Sequence, residues 1–316
     1  MSPMDVVVMT PWGWDVNPDL EDMVAEALDK AGVPYCMWGG AVLRIYGSAT
    51  TNIHFSGWVV PDRVLQQAVE SLNDEGLDTC PFGSSCQSLS GHSVPLIVPD
   101  WHCHPDDDIA IESAPTPTLN VYKSSRLLWS LPDPPVGAPS VGDPDYMLAS
   151  DPRIPEFKDP MSPWASRGRH DPDRYPIKIP TASKYAGSLI KLQCRDLAAP
   201  ELGSWTSQVG CMCDIVNDVD ENHVLRLEEI QEPFRHYMSY LSTELSMYDA
   251  PAISMGLLLA IRDELRASNE LPPAEPSQFQ KLLALTIRRL KNGVGKSLPY
   301  RPAESNGEPD GGSNGA

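Results

Sequence analysis

No stretch of this sequence is apolar for long enough to cross a bilayer. The amino-terminal MSPMDVVVMTPWGW holds four consecutive apolar residues and no basic flank, and the later run Leu257 to Ile261 is shorter than the ~20 residues a spanning helix needs. Basic side chains are scarce too: 24 Lys and Arg face 43 Asp and Glu, a net charge of -19. Such a field repels a phosphate backbone, so nucleic acid is excluded as the expected partner. Cysteines number seven, odd and irregularly spaced, which is not a secreted disulfide framework; reduced thiols and a soluble, cytoplasmic protein without membrane attachment are expected. Cys211 and Cys213, one residue apart in a helical pattern, diverge and make a poor metal pair. No Gly-x-Ser-x-Gly surrounds Ser90 or Ser125, so nucleophilic hydrolysis has no support.

What is present is a run of alternating elements. Apolar residues at helical spacing predict a helix from Asp19, as its cap, to Gly32; a short buried strand follows at Pro34 to Trp38. Gly39 and Gly40 then permit close backbone approach before a short helix through Tyr46. A second strand ends at Trp58, Val59 and Val60, and Pro61-Asp62 opens a helix that runs to Gly76. Further strands are expected at Val94 to Val98 and Leu119 to Tyr122. This order gives an α+β layer: a small mixed sheet with helices.

Residues 131–180 hold twelve prolines, a composition that favours extended and turn backbone, yet Tyr146, Met147, Leu148, Phe157 and Trp164 predict that the segment lies on its neighbours. Helical patterns then occupy Ala182 to Cys194, Leu202 to Val216, Leu225 to Leu245, Ala252 to Ala267 and Ser277 to Lys291. The expected organisation is an α/β domain over 1–130, a Pro-rich connector over 131–180, a helical subdomain over 181–300 and a disordered tail over 301–316.

Gly39-Gly40, the helix after them, the polar Ser48 to Thr51 turn and the strand ending at Val60 are similar to the polymerase-beta-type nucleotidyltransferase superfamily. A group of fungal nucleotidyltransferase-like proteins resembles the chain over most of its length, in Trp38-Gly39, Tyr46-Gly47, Ser125 to Trp129 and Tyr175 to Pro180. The resemblance implies a nucleotidyltransferase-like sheet in which two carboxylates one strand step apart would hold a metal pair. Here those positions carry Asn52 and His54, or Phe55 and Gly57 in the alternative register. Neither pair supplies the anions that hard cations require. Asp62 lies beyond the strand, where helix capping is its expected role.

The expectation is therefore a scaffold with degenerate metal-binding acids and no cofactor. It is read as re-used for a metal-independent cyclase or isomerase acting on an apolar small molecule, including a pericyclic cyclisation in fungal secondary metabolism. Asn52 and His54 would be the catalytic hydrogen-bonding groups, with Gly39, Gly40, Trp38, Trp58 and Trp101 lining the ligand. The alternatives are a non-catalytic binding or interaction protein, a pseudo-nucleotidyltransferase, and residual nucleotidyl transfer. Asp100-Trp101-His102-Cys103-His104-Pro105-Asp106-Asp107-Asp108 is the densest group of potential ligands. It is read as an exposed acidic loop; a metal held by His102 and His104, which alternation places on one face, is the alternative, with no third ligand at a recognisable spacing.

Overall fold

The computed structural model describes residues 18–48, 55–89, 97–105, 118–156, 168–197, 202–218, 224–243 and 250–274. Asn52 and His54, the last predicted helix, the tail and most of the Val94 to Val98 run lie outside them.

Helix α1 (Pro18–Lys30) buries Glu21, Val24, Ala25, Ala27 and Leu28. Its end is a Schellman motif: Gly32 N–H bonds Asp29 O at 2.9 Å and Val33 N–H bonds Leu28 O at 2.9 Å, with Gly32 at φ 67. Pro18 takes the first turn, so Asp19 lies inside the helix instead of capping it, and it pairs with Arg174. Strand β1 (Cys36–Trp38), helix α2 (Gly40–Ile45) and strand β2 (Phe55–Val60) follow, then a 3-10 turn and α3 (Leu65–Asp74). Gly76, at φ 85, ends this last run.

Strands β3 (Trp101–Cys103) and β4 (Thr118–Lys123) complete a mixed sheet of order β1-β2-β4-β3. β1 and β2 are antiparallel, β2 and β4 parallel, β4 and β3 antiparallel. The register aligns Trp38, Gly57, Asn120 and His102 in one row across the sheet. Paired residues share a face, so the next row, Met37, Trp58, Val121 and Trp101, belongs to the opposite one. The stretch read as an exposed loop thus begins as a buried strand: Trp101, His102 and Cys103 are at most 6 % exposed. Residues 106–108 lie outside the described set.

Helix α4 (Ser124–Leu127) continues directly from β4. Asp62 caps it, not its own helix: its carboxylate accepts from Ser125 N–H at 3.2 Å and from Ser125 Oγ at 2.7 Å. In the Pro-rich segment, β5 (Tyr146–Leu148) and β6 (Lys178–Pro180) pair as an antiparallel ribbon, so regular structure does form there, stapled by a partner distant in sequence. Helices α5 (Ala182–Arg195), α6 (Leu202–Asn217), α7 (Phe234–Leu241) and α8 (Ala250–Ala267) follow. The single helix expected over Leu225 to Leu245 is a 3-10 turn at Leu227–Glu229 and then α7, because Pro233 cannot donate the interior hydrogen bond. α5 is central, with Tyr185, Ala186, Leu189, Ile190 and Leu192 buried. Sheet, ribbon and helices contribute to one continuous hydrophobic cluster.

Candidate functional site

Gly39 sits at φ 92, ψ -155, a backbone conformation closed to residues with a Cβ, and this sharp corner turns β1 into α2. Its carbonyl accepts from Val42 N–H (3.1 Å) and Leu43 N–H (3.3 Å), and from the Tyr185 hydroxyl at 3.1 Å. Tyr185 also lies 3.1 Å from the Gln208 amide oxygen, and its ring packs on Trp38 with centroids 4.3 Å apart. Burial raises its phenol pKa well above the ordinary value, so Tyr185 remains a neutral donor. The space beside the buried Gly39 is therefore filled by an aromatic side chain from α5.

Gly57, next in the row, is a glycine for lack of room. A Cβ there would lie 2.7 Å from the Trp38 carbonyl oxygen, a backbone atom of the neighbouring strand. Asn120, also in the row, is fully buried; its Nδ2 donates to Thr118 Oγ1 at 3.1 Å, while its Oδ1 finds no hydrogen-bond partner among the described residues. Along this row no side chain is a carboxylate.

The tryptophans do not converge. Trp38 shares the row with Gly57, whereas Trp58 and Trp101 lie on the other face, where Trp58 meets Tyr35 (5.4 Å) and Trp101 Nε1 donates to Thr79 Oγ1 at 2.7 Å. These three therefore do not line one pocket. An open groove of about 70 Å³ lies on α5, lined by Lys184, Ser188, Lys191, Gln231 and Phe234 among others. Small-molecule sites span roughly 300–1,000 Å³, so this groove is too small to enclose one. Its lysines are already engaged, Lys184 with Asp145 at 2.9 Å and Lys191 with Glu270 at 3.4 Å.

At the β3 edge, His102 and His104 face the same side, ring centroids 5.5 Å apart. An antiparallel bridge between Thr79 and Cys103, with Cys80 N–H bonding His102 O at 3.0 Å, brings Cys80 beside them. A turn through Gly83 (φ 48) returns the chain so that Cys86 Sγ lies 3.3 Å from His104 Nε2. The donor atoms of Cys80, Cys86, His102 and His104 all lie within 4.8 Å of one another. Asp100 stands apart, held by Arg126 at 2.9 Å. Burial, and then the neighbouring His104, lowers the His102 pKa to about 4; burial raises that of the Cys80 thiol. The two cysteines, eighteen or more positions before His104, had no spacing signature; only the bridge from Thr79 to Cys103 reveals them.

Two further clusters join distant segments. Asp29, near the end of α1, accepts from Lys178 Nζ (2.6 Å), Tyr35 Oη and Tyr175 Oη (each 3.2 Å) and Gly137 N–H (3.2 Å). Arg195 binds Asp196 bidentately, both contacts 2.8 Å, and Trp205 Nε1 donates to the same carboxylate at 3.0 Å. The stretches behind the resemblance work here as packing: Tyr46 Oη donates to Pro180 O, and Trp129 Nε1 donates to Glu270 O at 3.0 Å.

No protein-family model matches the chain, and no curated protein matches it by sequence. Among solved structures, an antigenic nucleotidyltransferase-like protein from Paracoccidioides brasiliensis aligns with 84% of this chain and 97% of its own, at 10% identity and a TM-score of 0.32.

Proposed function

We propose that this chain is a nucleotidyltransferase-like scaffold that no longer transfers nucleotides and serves as a non-catalytic binding or interaction protein. The observation that carries this reading is the row Trp38, Gly57, Asn120: an indole, a position with no room for a side chain, and an amide. Two-metal phosphoryl transfer needs anionic oxygens that bridge both ions and align the attacking and leaving groups. A carboxylate at Gly57 would collide with β1, and the Gly39 corner is occupied by Tyr185. In this reading the protein works in the cytoplasm, with the sheet of residues 1–130 and the helices of 181–300 as its parts.

A second reading, a metal-independent small-molecule cyclase or isomerase of fungal secondary metabolism, is favoured by the fully buried Asn120 Oδ1, which finds no partner among the described residues. A buried amide oxygen without a partner is a costly feature that a ligand donor would relieve. Calorimetry with ATP, GTP, CTP and UTP in the presence of magnesium or manganese tests the first reading. No saturable binding is expected; a low-micromolar dissociation constant with transfer to any acceptor overturns it. Native mass spectrometry of the purified protein separates the two readings. A bound protein partner supports the interaction protein, whereas an apolar metabolite that the chain converts supports the enzyme.

A further inference from the structure

We propose that Cys80, Cys86, His102 and His104 form a structural zinc site that ties the loop after α3 to the edge strand β3. The four donor atoms already lie within 4.8 Å of one another. Zinc at the centre of a tetrahedron with bonds of ~2.0–2.3 Å holds its ligand atoms ~3.3–3.8 Å apart. The observed 3.3 Å between Cys86 Sγ and His104 Nε2 is in that range, so small side-chain rotations close the shell. Two sulfurs and two imidazoles are a borderline-soft set, which selects zinc over magnesium or calcium. With four protein ligands no position is left for water or substrate, so the site is structural.

Two observations independent of the donor count point the same way. His102 is 4 % exposed, and its Nε2 has no hydrogen-bond partner among the described residues, a buried polar atom in want of one. Among the described residues, Cys80, Cys86 and Leu89 form a cluster separate from the main core, with Val98 packed against it, while Phe82 is 69 % exposed. Two cysteines and one leucine bury little apolar surface, and a structural metal is one of the staples that compensates for a small core. On binding, each cysteine gives its thiol proton to solvent; two thiolates then balance the dication, and no electron is transferred.

The test uses the full chain, purified under reducing conditions, dialysed against zinc and then against metal-free buffer. Elemental analysis is expected to find about one zinc per chain, lost from the double variant Cys80→Ser/Cys86→Ser and from His102→Ala but kept in His236→Ala, an exposed control on α7. Because the cysteine variants can misfold, cobalt(II) is titrated into the unaltered chain as well. Intense visible bands and a thiolate-to-cobalt charge-transfer band, the signature of tetrahedral sulfur and nitrogen ligands, are expected. The proposal fails if zinc is not retained, if a folded double variant retains it, or if cobalt shows only weak octahedral bands. It fails equally if the metal-free chain, by intact mass and peptide mapping, carries a Cys80–Cys86 disulfide under the same reducing conditions.

Discussion

Lys178 is buried to its tip, and among the described residues its ammonium pairs with Asp29 Oδ1 at 2.6 Å, with the Tyr35 ring 3.7 Å below. Removing the anion alone leaves a buried charge uncompensated, which costs more than replacing both groups by apolar ones. Asp29→Ala is therefore expected to lose about 3–5 kcal/mol of stability, and Lys178→Met less, because the Asp29 carboxylate keeps its donors Tyr35, Tyr175 and Gly137. Urea unfolding measures both; an Asp29→Ala chain as stable as the parent would show that the pair does not hold α1 to β6. Burial, only partly offset by Asp29, lowers the Lys178 pKa. The folded state then binds fewer protons than the unfolded chain below the ordinary value of 10.5, so stability contributed at Lys178 rises with pH through that interval. Lys178→Met is expected to flatten this slope. At the same scale, His170 is 8 % exposed and lies 3.7 Å from the buried Glu21 carboxylate, so it is part of the interior and no surface residue.

Among the elements, β2 shows how neighbouring strands constrain chemistry. Its central glycine passes so close to β1 that a methyl group would sit 2.7 Å from the Trp38 carbonyl. Overpacking of this kind forces backbone shifts, and Gly57→Ala is expected to cost roughly 1–3 kcal/mol. A chemical denaturation midpoint unchanged by the substitution would mean that the strands can separate at no cost. The larger Gly57→Asp change would be worse, adding a buried charge to the clash. Placing an acid there thus requires β1 to move. Elements whose pattern is local were legible: α1, α3, α5, α6 and α8 all carry helical periodicity ended by Gly or a polar turn. β3, β5 and β6 were not, since three residues show no period and each exists because a distant partner satisfies its backbone.

For the whole molecule, the expected division into sheet domain, connector and helical subdomain meets a core to which all three contribute. Tyr185 of α5 touches Trp38 of β1, Tyr46 just after α2 reaches Pro180, and Arg195 at the end of α5 donates to Arg126 O at 2.5 Å. Elements sharing a core lose their mutual support together, so denaturant unfolding followed by tryptophan fluorescence and by far-ultraviolet circular dichroism is expected to give one coincident transition. Two separated transitions would show that the sheet and the helices fold independently.

The sequence by itself determined the α+β class, the helical second half, the acidic surface and the absence of a carboxylate pair after Gly39-Gly40, because composition, periodicity and glycine corners act locally along the chain. Tertiary structure alone decided that Tyr185 fills the Gly39 corner, that Trp38 is parted from Trp58 and Trp101, and that Cys80 and Cys86 meet His102 and His104. Those outcomes depend on strand register and on loop closure across tens of residues, which bring together side chains whose separation along the chain carries no signal.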